Sequence, residues 1–245
     1  AETDVWFEIL GAIHEPEYST QEMWQWAFGD SEIVAYPGDG LYMVEFGIKT
    51  LDNEERIIVY LDDEVIFDGI VDSLQGEKIK FYMSGSGHEE RKIRIEYDGN
   101  VYTGYNGDTR SLAYRIIDFS IHKENAEVIM ESTLYDEEHS GETSWRWASD
   151  DTTIEVMGYD SDKTYQVSFG LSALRGEENV IIYLDKEIIF EGNIDDVTIE
   201  RIEFIVKGDQ KHTIEIVYNG KSYTGINGDP RTLAYRIIDF EVYEY

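Results

Sequence analysis

An all-β architecture, two tandem antiparallel β-sandwich domains of jelly-roll type, follows from three features of this 245-residue sequence. The first is a duplication. Asn106-Gly107-Asp108-Thr109-Arg110-Ser111-Leu112-Ala113-Tyr114-Arg115-Ile116-Ile117-Asp118-Phe119 returns as Asn227-Gly228-Asp229-Pro230-Arg231-Thr232-Leu233-Ala234-Tyr235-Arg236-Ile237-Ile238-Asp239-Phe240, identical at twelve of fourteen positions and 121 residues away. That spacing is the size of one domain with its own core. The second is a succession of short apolar runs separated by turn residues. The third is the lack of helical segments of about ten residues or more, which parallel strands would need between them. The modules are expected at 1–122 and 123–245.

The elements follow in chain order. Val5-Trp6-Phe7-Glu8-Ile9-Leu10 is a short apolar run ending at Gly11 and reads as a strand; 14–20, polar and containing Pro16, reads as a loop. In Met23-Trp24-Gln25-Trp26-Ala27-Phe28 the residues Trp24, Trp26 and Phe28 share one strand face, with Gln25 and Ala27 on the other, and Gly29-Asp30 closes the strand. Further strands are expected at 32–36, 41–48, 56–61, 65–67, 78–83, 92–97 and 101–105, with Asp62-Asp63 and Asp98-Gly99 as two-residue turns. The second copy repeats this order: Trp145-Arg146-Trp147 stands 121 residues after Trp24-Gln25-Trp26, and Leu184-Asp185 stands 123 after Leu61-Asp62. Loop lengths therefore change while strands keep register. Late in the second copy the face holding Leu233, Tyr235 and Ile237 slips phase before Phe240 and Val242, which calls for a β-bulge near Ile238-Asp239. The junction His122-Lys123-Glu124-Asn125-Ala126 lacks a Gly/Pro/Ser linker, so the modules are expected to touch.

Composition narrows the functions. Hydrophobic residues at 42% with 13% aromatics suffice for packed cores. Twenty basic against 52 acidic residues give a net charge of −32, which repels nucleic acid and anionic membranes, since both need clustered Lys and Arg. There is no cysteine, which removes disulfides, thiolate metal sites and cysteine nucleophiles and is compatible with an oxidising cell surface. No apolar stretch of about 18 residues is present, so membrane insertion is not expected. Ala1-Glu2-Thr3-Asp4 resembles neither a signal peptide nor a native start and reads as the edge of a larger protein.

Catalytic signatures are poor. None of His14, His88, His122, His139 and His212 has a histidine at the matching place in the other copy, and no nucleophile elbow, phosphate loop, dinucleotide fingerprint or zinc-protease motif occurs. Paired carboxylates able to hydrolyse glycosides arise by chance among 52 acids. Calcium takes about six to eight oxygens; Asp160-Ser161-Asp162, Asp195-Asp196 and Asp150-Asp151 are compatible with a structural Ca2+, but polar turns are the simpler reading and no cofactor is expected. Polysaccharide or oligosaccharide binding has the most material, because sugar rings stack on Trp and Tyr while Asp, Asn and Arg bond hydroxyls. Eighteen Tyr and five Trp supply it. The competing reading for Trp24, Trp26, Trp145 and Trp147 is core packing, which their shared face favours.

Trp145-Arg146-Trp147-Ala148 and Gly228-Asp229-Pro230-Arg231-Thr232-Leu233-Ala234 resemble the Arg-Trp and Asp-Pro-Arg-Glu-Leu-Gly signatures of a β-sandwich domain appended to bacterial cell-envelope glycosyltransferases. The resemblance implies a non-catalytic module that contacts saccharide beside other domains of a parent protein, at the cell surface, or in the cytoplasm if the parent is such a transferase. The chain departs from the pattern with Gln25 in place of Arg146, Thr109 in place of Pro230, Ser111 and Thr232 where the family has Glu, and Ala113 and Ala234 where it has Gly. On these grounds Trp24, Gln25, Asp108, Arg110, Tyr114, Trp145, Arg146, Asp229, Arg231 and Tyr235 are the candidate saccharide contacts. Arg110 and Arg231 have two readings, a guanidinium for sugar hydroxyls or a sugar carboxylate, and a clamp on their own turn by Asp108 and Asp229. Two further classes stay open: a spacer or assembly module without ligand, and a carboxylate-dependent glycoside hydrolase.

Overall fold

The computed structural model describes residues 5–141 and 143–245, so the reading of Ala1-Glu2-Thr3-Asp4 lies outside the described residues. Two compact units, Ala1–Glu124 and Asn125–Tyr245, each hold a core of their own. The first contains β1 (Val5–Ile13), β2 (Glu17–Tyr18), β3 (Met23–Pro37), β4 (Gly40–Thr50), β5 (Glu55–Leu61), β6 (Glu64–Val71), β7 (Glu77–Gly85), β8 (Arg91–Asp98), β9 (Tyr102–Thr103), β10 (Ser111–Leu112) and β11 (Tyr114–Glu124). The second contains β12 (Ala126–Met130), β13 (Glu138–Ser140), β14 (Thr143–Ala148), β15 (Thr152–Gly158), β16 (Thr164–Ala173), β17 (Glu178–Leu184), β18 (Glu187–Ile194), β19 (Glu200–Lys207), β20 (Lys211–Tyr218), β21 (Tyr223–Thr224), β22 (Thr232–Leu233) and β23 (Tyr235–Glu244). Every pairing is antiparallel.

The second unit is a sandwich of two five-stranded sheets, β12-β15-β20-β17-β18 and β13-β14-β23-β16-β19. The first unit has the same layers, but β3 runs unbroken through both: residues 24–27 pair with β11 and residues 31–35 pair with β8. The two strands expected at 23–28 and 32–36 are therefore one. The cause is β1, which stays beside β3 on both sides of Gly29-Asp30 through a register shift between Gly11 and Ile13. Its counterpart β12 stops at Met130, and the crossing at Ser149-Asp150-Asp151 breaks into a bend.

Side-chain alternation places one face of each strand inside. Tyr42, Phe46, Ile48, Ile33, Ile93 and Tyr114 fill the first core, and Tyr165, Phe169, Val167, Ile182, Ile214 and Tyr235 the second. Each such side chain contributes about 1.5–3 kcal/mol of burial. The bulge expected at Ile238-Asp239 is present, and the first copy has its own: pairing shifts between Ser168 and Gly170 and between Ile117 and Ser120, where Asp239 and Asp118 take φ of 46° and 48°. Their carboxylates accept the backbone N–H of Ser144 and Met23, each at 2.8 Å.

One turn differs from expectation. Asp98-Gly99 does not close a hairpin, because β9 pairs with β10 instead of β8. The Tyr97 ring folds against Gly99, where a methyl would lie 2.5 Å from the ring, and its hydroxyl donates to the Asn100 carbonyl at 2.8 Å. Tyr218 and Gly220 repeat the arrangement.

Candidate functional site

The duplicated Asn-Gly-Asp-x-Arg segment is a tight turn, Tyr105–Gly107 and Ile226–Gly228, in which Asn106 and Asn227 have φ of 50° and 53°. Asp108 accepts the Arg110 backbone N–H at 2.9 Å and grips its guanidinium at 2.6–3.1 Å, while the other arm of Arg110 reaches Glu17 of β2 at 2.7 Å. Asp229, Arg231 and Glu138 of β13 repeat the clamp, with the Arg231–Glu138 ion pair at 2.6 Å. The Arg110 side chain and then its backbone N–H hold the Asp108 carboxyl down at about 2, and Asp229 is lowered by the same groups of Arg231. Both arginines thus tie a loop to the edge of their sheet, with their charge met by two carboxylates each.

The pair Gln25 and Arg146 also has a structural task. Gln25 donates to the carbonyl of His14 at 3.3 Å, and Arg146 donates to that of Tyr135, the residue at the same place in the second copy, at 3.3 Å. The two side chains are different solutions to one need. Tyr114 and Tyr235 are fully buried, and burial pushes both phenols up. Tyr114 shares a hydrogen bond with Ser31 at 2.6 Å. As saccharide contacts these two are corrected: they are core residues with no face toward solvent.

Trp24 and Trp145 remain, and they stand outside the core. Ala27 and Tyr114, paired across β3 and β11, are both 0% exposed and fix the inner face. Alternation then sends Trp24 and Trp26 outward, where they are half-buried on the sheet's outer surface. The same holds for Trp145 and Trp147 against Ala148 and Tyr235. Core packing of these tryptophans is therefore overturned: alanine takes the inner position because the large tyrosine opposite it leaves little room.

Reading across the strands gives two rows of this outer face, with neighbours about 4.8 Å apart. One row is Trp24, Ile117, Gly47 and Lys78, and the other is Trp26, Arg115 and Lys49. The Arg115 guanidinium lies 5.1 Å from the Trp26 ring and 6.0 Å from the Trp24 ring; Arg236 lies 5.2 Å from Trp147. Among the described residues the buried Nε1 of Trp24 and Trp145 and Nε of Arg115 and Arg236 have no hydrogen-bond partner. Gly47 underlies a depression of about 450 Å³, bordered by Ile117, Asp118, Lys49, Gln75, Glu45 and Lys78, a volume suited to a small ligand. Lys78 pairs with Glu45 at 2.6 Å. This is an aromatic shelf beside a glycine-floored hollow with a polar rim.

Arg115, Arg236, Gly47 and Gly170 were absent from the sequence-based candidates. A signal existed: if Leu233, Tyr235 and Ile237 face inward, Arg236 must face outward beside whatever the neighbouring strand presents. Two of the aspartates weighed for calcium accept backbone N–H groups in turns. Asp195 accepts the N–H groups of Val197 and Thr198 at 2.8 and 2.6 Å, and Asp160 accepts that of Asp162 at 2.9 Å. Among the described residues no group of three or more His, Cys, Asp or Glu side chains is placed to hold a metal, and no helix is long and apolar enough to cross a membrane.

No family model matches the sequence, and no curated protein matches it. Solved structures align over most of the chain at low similarity. The N-terminal CBM22-1-CBM22-2 tandem domain from Paenibacillus barcinonensis Xyn10C is 12% identical with a TM-score of 0.32, covering 98% of this chain and 91% of that one. A Paenibacillus xanthan lyase is 11% identical with a TM-score of 0.33, over 94% of this chain and 25% of its own. The M60 catalytic domain with CBM51-1 and CBM51-2 from Clostridium perfringens ZmpB is 9% identical with a TM-score of 0.28, over 90% and 34%. The functional reading rests on the chain's own residues.

Proposed function

We propose that this chain is a non-catalytic polysaccharide- or oligosaccharide-binding part of a larger bacterial protein, and that glycan lies across the outer face carrying the Trp-x-Trp strand. The observation that carries this is the Trp24, Trp26 and Arg115 shelf beside the Gly47 hollow. Sugar rings are amphipathic discs: their C–H faces stack on indole, and their hydroxyls need the donors and acceptors that Lys49, Lys78 and Gln75 supply. A net charge of −32 disfavours polyanionic glycans and favours neutral ones.

Hydrolysis is the weaker reading. Glu45 is engaged by Lys78 and Lys80, and Asp118 by the Met23 N–H, so these acids hold structure. Calorimetry against soluble β-glucan, xylan and galactomannan tests the proposal. Trp24→Ala with Trp26→Ala is expected to weaken binding at least about tenfold while the melting temperature stays close to wild type. Absence of binding to every glycan leaves the spacer reading, and release of reducing sugar revives the hydrolase.

A further inference from the structure

The two copies share the shelf but differ over its glycine floor. Between β6 and β7 the loop turns on Asp72, whose Oδ1 accepts the N–H groups of Leu74, Gln75 and Gly76 at 2.7, 2.6 and 3.2 Å. Between β18 and β19 Asp195 does the same for Val197 and Thr198. Register then makes the loops superimpose residue by residue. Gly47 pairs with Lys78 and Gly170 with Arg201, so Gly76 and Ile199 occupy one position in the two copies.

That position decides access. In the second copy Ile199 leans over the glycine floor: a methyl on Gly170 would lie 2.4 Å from Ile199 Cγ2. In the first copy the three atoms nearest to a methyl on Gly47 all belong to Ile117, the closest at 3.3 Å, and none belongs to the loop. Gly76 has φ of +71°, and a methyl there would lie 2.3 Å from Lys49 Cγ and 2.5 Å from the Ile48 carbonyl, so an L side chain is excluded twice over. The rim changes in step. Lys49 is replaced by Ser172, and Arg201 turns to Asp239 at 3.3 Å where Lys78 turns to Glu45.

We infer that the duplication is functionally unequal: the first copy carries the open glycan site, and Ile199 fills the equivalent hollow of the second, so one chain holds one glycan segment. This rests on the reading of the outer face as a glycan surface. Ile199 is the residue that sets the number of sites, and it does so by occupying the volume a sugar ring would take.

The test is calorimetry of the full chain with β-1,4-linked gluco-, xylo- and manno-hexaose. Wild type is expected to bind at one site per chain. Trp24→Ala with Trp26→Ala should reduce affinity at least about tenfold, while Trp145→Ala with Trp147→Ala should leave it within about twofold. Ile199→Gly, with Ile199→Ala as the milder variant and melting curves to confirm folding, should raise the count to two. Two sites in wild type, or loss of binding through the second tryptophan pair, overturns the inference and leaves the glycan reading standing. No binding of any hexaose by any variant overturns both.

Discussion

Asp108 shows how a residue that looks like a ligand contact is spent on folding. Its carboxyl meets the Arg110 guanidinium first and the Arg110 backbone N–H second, which lowers it from 3.8 to about 2. Because the folded value lies below the unfolded one, the clamp stabilises the fold at pH values above about 4 and is lost as pH falls from 4 toward 2. Asp72, lowered by the N–H groups of Gln75, Gly76 and Leu74, and Asp229, lowered by Arg231, add to the same acid limb. Melting followed by circular dichroism is therefore expected to be nearly flat from pH 7 to 5 and to drop steeply below 4. Asp108→Asn should lower the neutral-pH melting temperature and flatten that drop; an unchanged acid limb would show that the clamp does not contribute to it. Gln25 and Arg146 carry the same lesson. Each satisfies one carbonyl at the same place in its copy, so their difference in charge marks two routes to one hydrogen bond.

Among the elements, the bulged strands β11 and β23 govern which side chains reach the outer face. Before the bulge Tyr235 and Ile237 point inward with Arg236 outward; after it Phe240 and Val242 pack on the core. Asp239 makes the switch with φ of 46° and anchors it by accepting the Ser144 N–H. Asp239→Ala is expected to cost about 2 kcal/mol, roughly half from the lost hydrogen bond and half from the left-handed backbone. Asp239→Asn, which tolerates that backbone and keeps an acceptor, should retain most of it in urea denaturation. Equal losses for both variants would mean that the charge matters more than the geometry. The bulge was legible in the sequence because a phase slip in a period-two pattern has one physical cause. The direction of Trp24 and Trp26 was not, since alternation tells which residues share a face but not which face is inside. Ala27 settles that only through Tyr114, a partner about ninety residues away. The unbroken course of β3 was hidden for the same reason: it depends on the reach of β1, which no local pattern in Gly29-Asp30 records.

For the whole molecule, charge is the term that no single contact represents. Even with all 20 basic residues paired, 32 acidic ones have no cation to meet. Outside the two arginine clamps many ion pairs are exposed, such as Arg56 with Asp68 at 2.7 Å and Lys163 with Glu244 at 2.5 Å; such pairs contribute little each. Self-repulsion therefore outweighs attraction, and it is long-ranged at low ionic strength, where the screening length is about 30 Å at 0.01 M against about 3 Å at 1 M. Raising sodium chloride across that range is expected to raise the melting temperature by several degrees through the pH-neutral region. If the surface ion pairs governed stability instead, salt would lower it. The same titration bears on the ligand: a neutral glycan held by stacking and hydrogen bonds should bind with an affinity almost independent of salt, while a polyanion would bind more tightly as salt screens the acidic surface. Measuring both on one sample separates the charge of the scaffold from the chemistry of the face.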